Sequence, residues 1–163
     1  NGHFANDPGF PAPPEGIRFT PPIQNYGPDA NIYRDRQSGL IVDGDTTGMT
    51  VGTFTPHRSP LGLFFDQQGQ LPGELNGGAF VLSWTNGATN PLMKPFSDFG
   101  GDLIYLKLDF DPEVDNYRTQ AYRIADGFRG LTDAAQVGNE IYIIETRGII
   151  WKLTVAKENE PLL

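Results

Sequence analysis

Cysteine is absent from the 163 residues. That excludes disulfide staples, thiolate metal sites and cysteine nucleophiles. No apolar run reaches the roughly 18 residues a membrane-spanning helix needs, so no membrane span is expected. No basic-then-apolar leader stands at Asn1 either. Positive charge is scarce: 12 Lys and Arg face 20 Asp and Glu, a net charge of -8. A chain this acidic repels nucleic-acid phosphate and anionic lipid, so neither is expected as a partner. GxSxG, P-loop, HExxH and dinucleotide fingerprints are missing, and no stretch carries a convincing helical stripe.

What is present is turn chemistry and β-propensity. The 20 Gly and 14 Pro predict many turns and few long helices. A hydrophobic content of 38% marks a globular chain with a core, and the length suits one domain. From Asn1 to about Thr50 the sequence is rich in Pro, Gly, Asn and Asp, as in "NDPGFPAPPEG", "FTPPIQNYGPDAN" and "DGDTTG". It reads as long ordered loop, with short strands at "GIRFT" and "GLIVD". From Thr53 onward the reading is all β. Strands are expected at 61–65, 77–84, 102–110, 117–125, 130–137, 140–146 and 149–155, rich in Ile, Val, Tyr, Phe, Leu or Thr. "LIYLKLDF" alternates, with Leu103, Tyr105 and Lys107 on one face and Ile104, Leu106, Leu108 and Phe110 on the other.

This spacing predicts consecutive four-stranded antiparallel meanders. Residues 53–125 make one complete blade, and 126–163 make a final blade lacking its outer strand. Residues 1–52 form a loop-rich segment belonging to a preceding blade. A last sheet short of one strand has a remedy in β-propellers, where a strand from the chain's beginning closes the ring and covers the edge. The expected fold class is therefore all-β, a β-propeller portion of about two four-stranded antiparallel blades plus the Pro/Gly-rich N-terminal segment. The remaining blades come from the same or another chain.

The stretches "PHRSPLGLFFD", "LNGGAFVLSWTNG", "GDLIYLKLDFD" and "GFRGLTDAAQVGNEIYIIETRGIIWKLTV" resemble the C-terminal blades of the glucose/sorbosone dehydrogenase family. The resemblance covers Thr53 to Val155. It implies a six-bladed propeller, a periplasmic or extracellular setting, and the cofactors pyrroloquinoline quinone (PQQ) and Ca²⁺. The implied reaction is oxidation of a sugar hydroxyl or hemiacetal. The family's catalytic histidine belongs to early blades that have no counterpart here, so the catalytic residues are not assigned. Of the two arginines that contact the quinone in some members, Arg129 in "GFRGL" matches one. Leu131 and Ala134 cannot act as the other.

Propeller topology puts the loop before a blade's first strand and the loop between its second and third strands on one face, where ligands bind. That nominates His57, Arg58 and Arg129 from the first kind of loop, and Asn86, Asn90, Lys94 and Arg147 from the second. Such cations suit a carboxylate-bearing ligand, and PQQ has three carboxylates. His57, Arg58, Arg129 and Lys94 are the candidate cofactor contacts, and Trp84 and Asn86 the candidate sugar contacts. Each has a plainer alternative. Arg58 and His57 can serve as ordinary loop-to-strand hydrogen-bonders, Arg129 can pair with Asp126, Asp133 or Glu145, and Trp84 can cap the core. Trp151 reads as core. The acidic run "DFDPEVDN" reads as a solvated connector rather than a Ca²⁺ site, since it lacks the mid-loop Gly and terminal Glu of an EF-hand. The second functional class is a non-catalytic propeller module that binds carbohydrate or protein or builds an extracellular assembly.

Overall fold

A computed structural model describes residues 15–16, 20–52, 54–55, 58–84 and 100–156. The described chain is all-β, built on a curled mixed sheet. Its strands in chain order are β1 (Gln24–Pro28), β2 (Ile32–Arg34), β3 (Ile41–Asp43), β4 (Val51–Gly52), β5 (Ser59–Phe65), β6 (Ala79–Trp84), β7 (Asp102–Asp111), β8 (Asn116–Ala125), β9 (Leu131–Val137), β10 (Glu140–Glu145) and β11 (Ile150–Thr154). The helical elements are one turn, α1 (Gly44–Thr47), and a 3-10 turn at Gly73–Leu75. The seven strands expected after Thr53 form at those places.

β5 to β8 make an antiparallel meander in which each strand pairs with the next. β9 to β11 make a second one. The first is not a four-stranded unit, however. β1 adds parallel to β8 and β4 adds antiparallel to β1, giving the order β4-β1-β8-β7-β6-β5. The expected loop before Thr50 thus contains three strands, of which β3 falls on the expected "GLIVD", while the strand expected at "GIRFT" lies largely outside the described residues. The reason is local. β1 buries Asn25 and Gly27 rather than apolar side chains, so no hydrophobic alternation marks it. Asn25 Nδ2 donates to the carbonyls of Asp29 and Ala30, and its Oδ1 accepts from Gly27 N. Gly27 sits at φ +80, and a Cβ there would meet Asp45 Oδ1 at 2.2 Å.

The core lies between the two meanders. Phe80, Leu82, Leu103 and Tyr105 of the first sheet pack against Leu131, Ile141 and Ile143 of the second. Phe80 stacks on Phe64 with ring centroids 4.9 Å apart, and Tyr105 follows at 5.4 Å from Phe80. β5 and β9 approach closely at Gly62, where a Cβ would lie 3.0 Å from Ala134 N. A second apolar layer covers the opposite face of the first sheet: Ala79, Val81, Ile104, Leu106 and Ala121, with Phe54 and Leu108 against them. The predicted alternation of "LIYLKLDF" is borne out by this split.

Asp66, the last residue of "LGLFFD", ties the turn after β5 to the second sheet. Its buried carboxylate accepts from the amides of Gln70, Leu71 and Gly77 and from Gln136 Nε2 of β9. Burial pushes its pKa up, but these four donors outweigh that and hold it below the usual aspartate value. Asp66→Asn is expected to cost about 1–3 kcal/mol near neutral pH, because a neutral amide satisfies the donors poorly. A depressed carboxylate pKa gives stability that is full above the unfolded value, roughly 3.9, and is lost as pH falls through the folded value. Urea midpoints should therefore differ most at neutral pH and converge in acid. Equal midpoints at pH 7 would contradict this role.

Candidate functional site

β5, β7 and β9 begin, and β6, β8 and β10 end, along one rim. The strand registers fix this, since Ser59 faces Trp84, Ser83 faces Asp102, Leu103 faces Ala125, and Leu131 faces Glu145. The rim loops of the two sheets are bonded together. Phe128 N, ahead of β9, donates to Gly101 O at 3.0 Å, and Gly101 N donates to Ser83 O at 2.7 Å. The loop before one meander and the loop between the second and third strands of the other thus meet at a common edge.

At this rim the first sheet holds a buried ionic cluster centred on Asp102. Arg58 Nη2 donates to both carboxylate oxygens at 2.6 and 2.7 Å and to Ser83 Oγ. Ser83 Oγ donates in turn to Asp102 Oδ1 at 2.5 Å. Arg123 Nε donates to Oδ2 at 2.7 Å, and its backbone N donates to Asp29 Oδ2. Asp102 is fully buried and Arg58 nearly so, at 6% exposure. The register puts these groups together. Ser83 and Asp102 are direct cross-strand partners, and a shift between Leu103 and Ile104 brings Arg123 opposite Ile104, on the face of Asp102. Two guanidinium groups meet one carboxylate, and the Asp29 carboxylate lies beside them through the Arg123 amide. The cluster's hydrogen bonds fix the start of β5 and the ends of β6 and β8 to one point, as a clamp rather than a nucleophile or proton donor.

Beside the cluster, on the same face of the first sheet, lies an open apolar groove of about 420 Å³. Ile23, Phe54, Leu63, Phe65, Val81 and Leu106 line it, and Arg58 stands at its edge. The volume falls in the range of small-molecule sites. Its described walls are apolar, and the charged group among them, Arg58, already holds Asp102.

Of the sequence-nominated residues, Arg58 is thus drawn inward on to Asp102. Arg129 stays exposed in the loop ahead of β9, where its backbone amide donates to Glu145 Oε1 at 2.8 Å. Trp84 ends β6 half-buried, and Arg147 is exposed in the β10–β11 turn. His57, Asn86, Asn90 and Lys94 lie outside the described residues. Trp151 departs from the expectation of core: it is 45% exposed, because β11 is an edge strand with no neighbour over its outer side among the described residues. It sits at the rim, edge-on to Phe128, with Nε1 donating to Glu145 Oε1. Sequence reasoning missed Asp102, Ser83 and Arg123. The signal for Asp102 was there: a charged residue stands directly before the apolar stretch Leu103–Leu106, straight after Gly100 and Gly101.

The other polar clusters have structural uses. Asp111 of "DFDPEVDN" accepts from the Glu113 amide and from Arg118 Nε, and these bonds lower its pKa. "DGDTTG" becomes α1, capped by the Asp43 side chain on Asp45 N. Among the described residues no group of three or more His, Cys, Asp or Glu is placed to hold a metal. No described helix is long and apolar enough to cross a membrane. Comparison with family models, with curated proteins and with solved structures found no match to this chain.

Proposed function

We propose that the chain forms two neighbouring blades of a β-propeller of the glucose/sorbosone dehydrogenase type, oxidising a sugar hydroxyl or hemiacetal, and that these blades position ligand at the rim. The observation that supports this is the shared rim. Two successive meanders lie with their first strands side by side at Gly62 and Ala134, and their loops are bonded at Gly101 and Phe128. A periplasmic or extracellular location belongs to the same proposal.

The residues fit the implied cofactors unevenly. When bound, PQQ accepts the two electrons that leave the sugar carbon. Of the cations nominated for its carboxylates, Arg58 already serves Asp102, while Arg129 projects from the rim loop as an exposed guanidinium. Arg129 is thus the described side chain suited to hold a carboxylate there. For Ca²⁺ the described residues do not fit, since no group of three or more acidic or histidine side chains is assembled among them. The contribution of these blades is orientation and electrostatics.

The parent protein, mixed with PQQ and Ca²⁺, should retain quinone absorbance and reduce a dye when supplied with aldoses. Arg129→Ala should weaken PQQ retention about tenfold, the scale of one charge-assisted hydrogen bond. Loss of both quinone retention and dye reduction in the unaltered protein would overturn the enzyme reading. A second reading, a non-catalytic propeller module for binding or assembly, is favoured by the apolar groove. Among the described residues no sugar-like set of polar groups lines it.

A further inference from the structure

We propose that a cleft at the end of the first sheet opposite the rim is a binding site for a neutral saccharide, taken one pyranose ring at a time. The inference goes beyond the rim and does not rest on the quinone chemistry proposed there.

The strand registers place the cleft. β7 ends at Asp111 and β8 starts at Asn116, at the far end of the sheet from Leu103 and Ala125. β1 runs parallel to β8 there, with Gln24 beside Arg118. The cleft holds about 200 Å³ and is lined by Gln24 and Tyr26 of β1, Asp111 of β7, and Asn116, Tyr117 and Arg118 of β8. Tyr26 and Tyr117 are 45% and 46% exposed. Aromatic walls set among polar groups are the lining a sugar requires. The C–H side of a pyranose lies against a ring, and its hydroxyls meet donors and acceptors.

The side chains are held in place by the protein itself. Arg118 Nε donates to Asp111 Oδ2 at 2.7 Å, and its guanidinium carbon stands 5.8 Å from the Tyr26 ring centre. Asn116 Nδ2 donates to Pro21 O at 3.0 Å, and its Oδ1 accepts from Tyr117 N. Gln24 Oε1 accepts from Thr50 Oγ1 at 3.1 Å. The Tyr117 ring meets Phe110 edge to face with centroids 5.2 Å apart. Side chains fixed in this way lose little freedom on binding. The groups left over for a ligand are neutral. The Tyr26 and Tyr117 hydroxyls and Gln24 Nε2 make no hydrogen bond to a described residue.

Charge and size narrow the ligand class. Arg118 is paired with Asp111 and also feels Glu113. One guanidinium thus faces two carboxylates and has no charge to spare for an acidic sugar or a phosphate. A neutral hexose meets no such penalty. The volume suits a single ring, whereas an extended proline-rich peptide needs a longer aromatic groove.

The full chain should be titrated with the methyl α-pyranosides of glucose, galactose and mannose and followed by two-dimensional amide NMR. At least one sugar should shift the Tyr26, Asn116 and Tyr117 amides saturably, with a Kd of about millimolar order, as expected of a small ligand in an open cleft. Tyr117→Ala should weaken that binding about tenfold, the scale of a lost aromatic contact. Its circular dichroism should not change, because the side chain is exposed. Tyr26→Phe, which keeps the ring and loses a hydroxyl, should weaken binding less than Tyr26→Ala. The uronate matching the bound sugar should bind about tenfold more weakly. The proposal is overturned if no sugar shifts these amides, if folded Tyr117→Ala binds undiminished, or if the uronate binds as tightly as the neutral sugar. A proline-rich peptide shifting these amides where the sugars do not would also overturn it. Shifts confined to Gly101, Phe128 and Arg129 would move sugar binding to the rim, overturning this site while favouring the dehydrogenase reading. Quinone retention is measured separately, so either proposal can fail alone.

Discussion

Replacing Asp102 with asparagine should destabilise the protein by about 3–5 kcal/mol, the cost of stripping the counter-charge from buried cations. Asp102 is fully buried and accepts from Arg58, Ser83 and Arg123. Asparagine keeps the shape but leaves Arg58 buried against a neutral amide. The origin of the loss can be checked with a second variant. Converting Arg58 to methionine and Asp102 to leucine together removes the buried pair and leaves Arg123, which is partly exposed. That double change should cost less than Asp102→Asn alone, because an apolar pair of similar volume needs no counter-charge. The loss should change little between low and high salt, since screening acts weakly on buried pairs. A double variant less stable than the single one would show that the cluster contributes net attraction.

Phe80→Ala should cost a further large amount, about 3–5 kcal/mol. Phe80 is fully buried between Phe64 and Tyr105 at the centre of the layer joining the two sheets. Truncation removes a ring's worth of burial, forfeits two aromatic contacts, and opens a cavity that β-strands fixed by register cannot close. With total stability of roughly 5–15 kcal/mol usual for a domain, the variant should show a sharply lower urea midpoint with an unchanged slope. A loss below about 1 kcal/mol would mean that the sheets are not packed through this residue.

The strands after Thr53 were legible because their periodicity is physical. "LIYLKLDF" must alternate to put Leu103 and Tyr105 in one layer and Ile104 and Leu106 in the other. β1 was not legible, since what it buries is Asn25 and Gly27, whose value lies in hydrogen bonds and close approach rather than hydrophobicity. Arg58 was singled out from its loop, but its direction was not. A long side chain at a strand's start turns to the nearest buried carboxylate, and that carboxylate is Asp102, 44 positions on. The pairing depends on the β6–β7 register, which no local pattern reveals. Trp151 misled for a related reason: its strand is apolar, but edge position leaves it open. The sugar-oxidising reading draws on the resemblance for its chemistry and on the shared rim for its geometry.

An experimental structure of the complete natural protein tests the central claim most directly. The account predicts a further β-sheet packed about 10 Å from the Leu63–Phe65 face and another from the Ile144–Ile150 face, all disposed about one axis with β5 and β9 nearest it and the Asp102 rim on one face of the ring. A structure in which those two faces meet solvent, or in which β5 to β11 close into a barrel of their own, would contradict it.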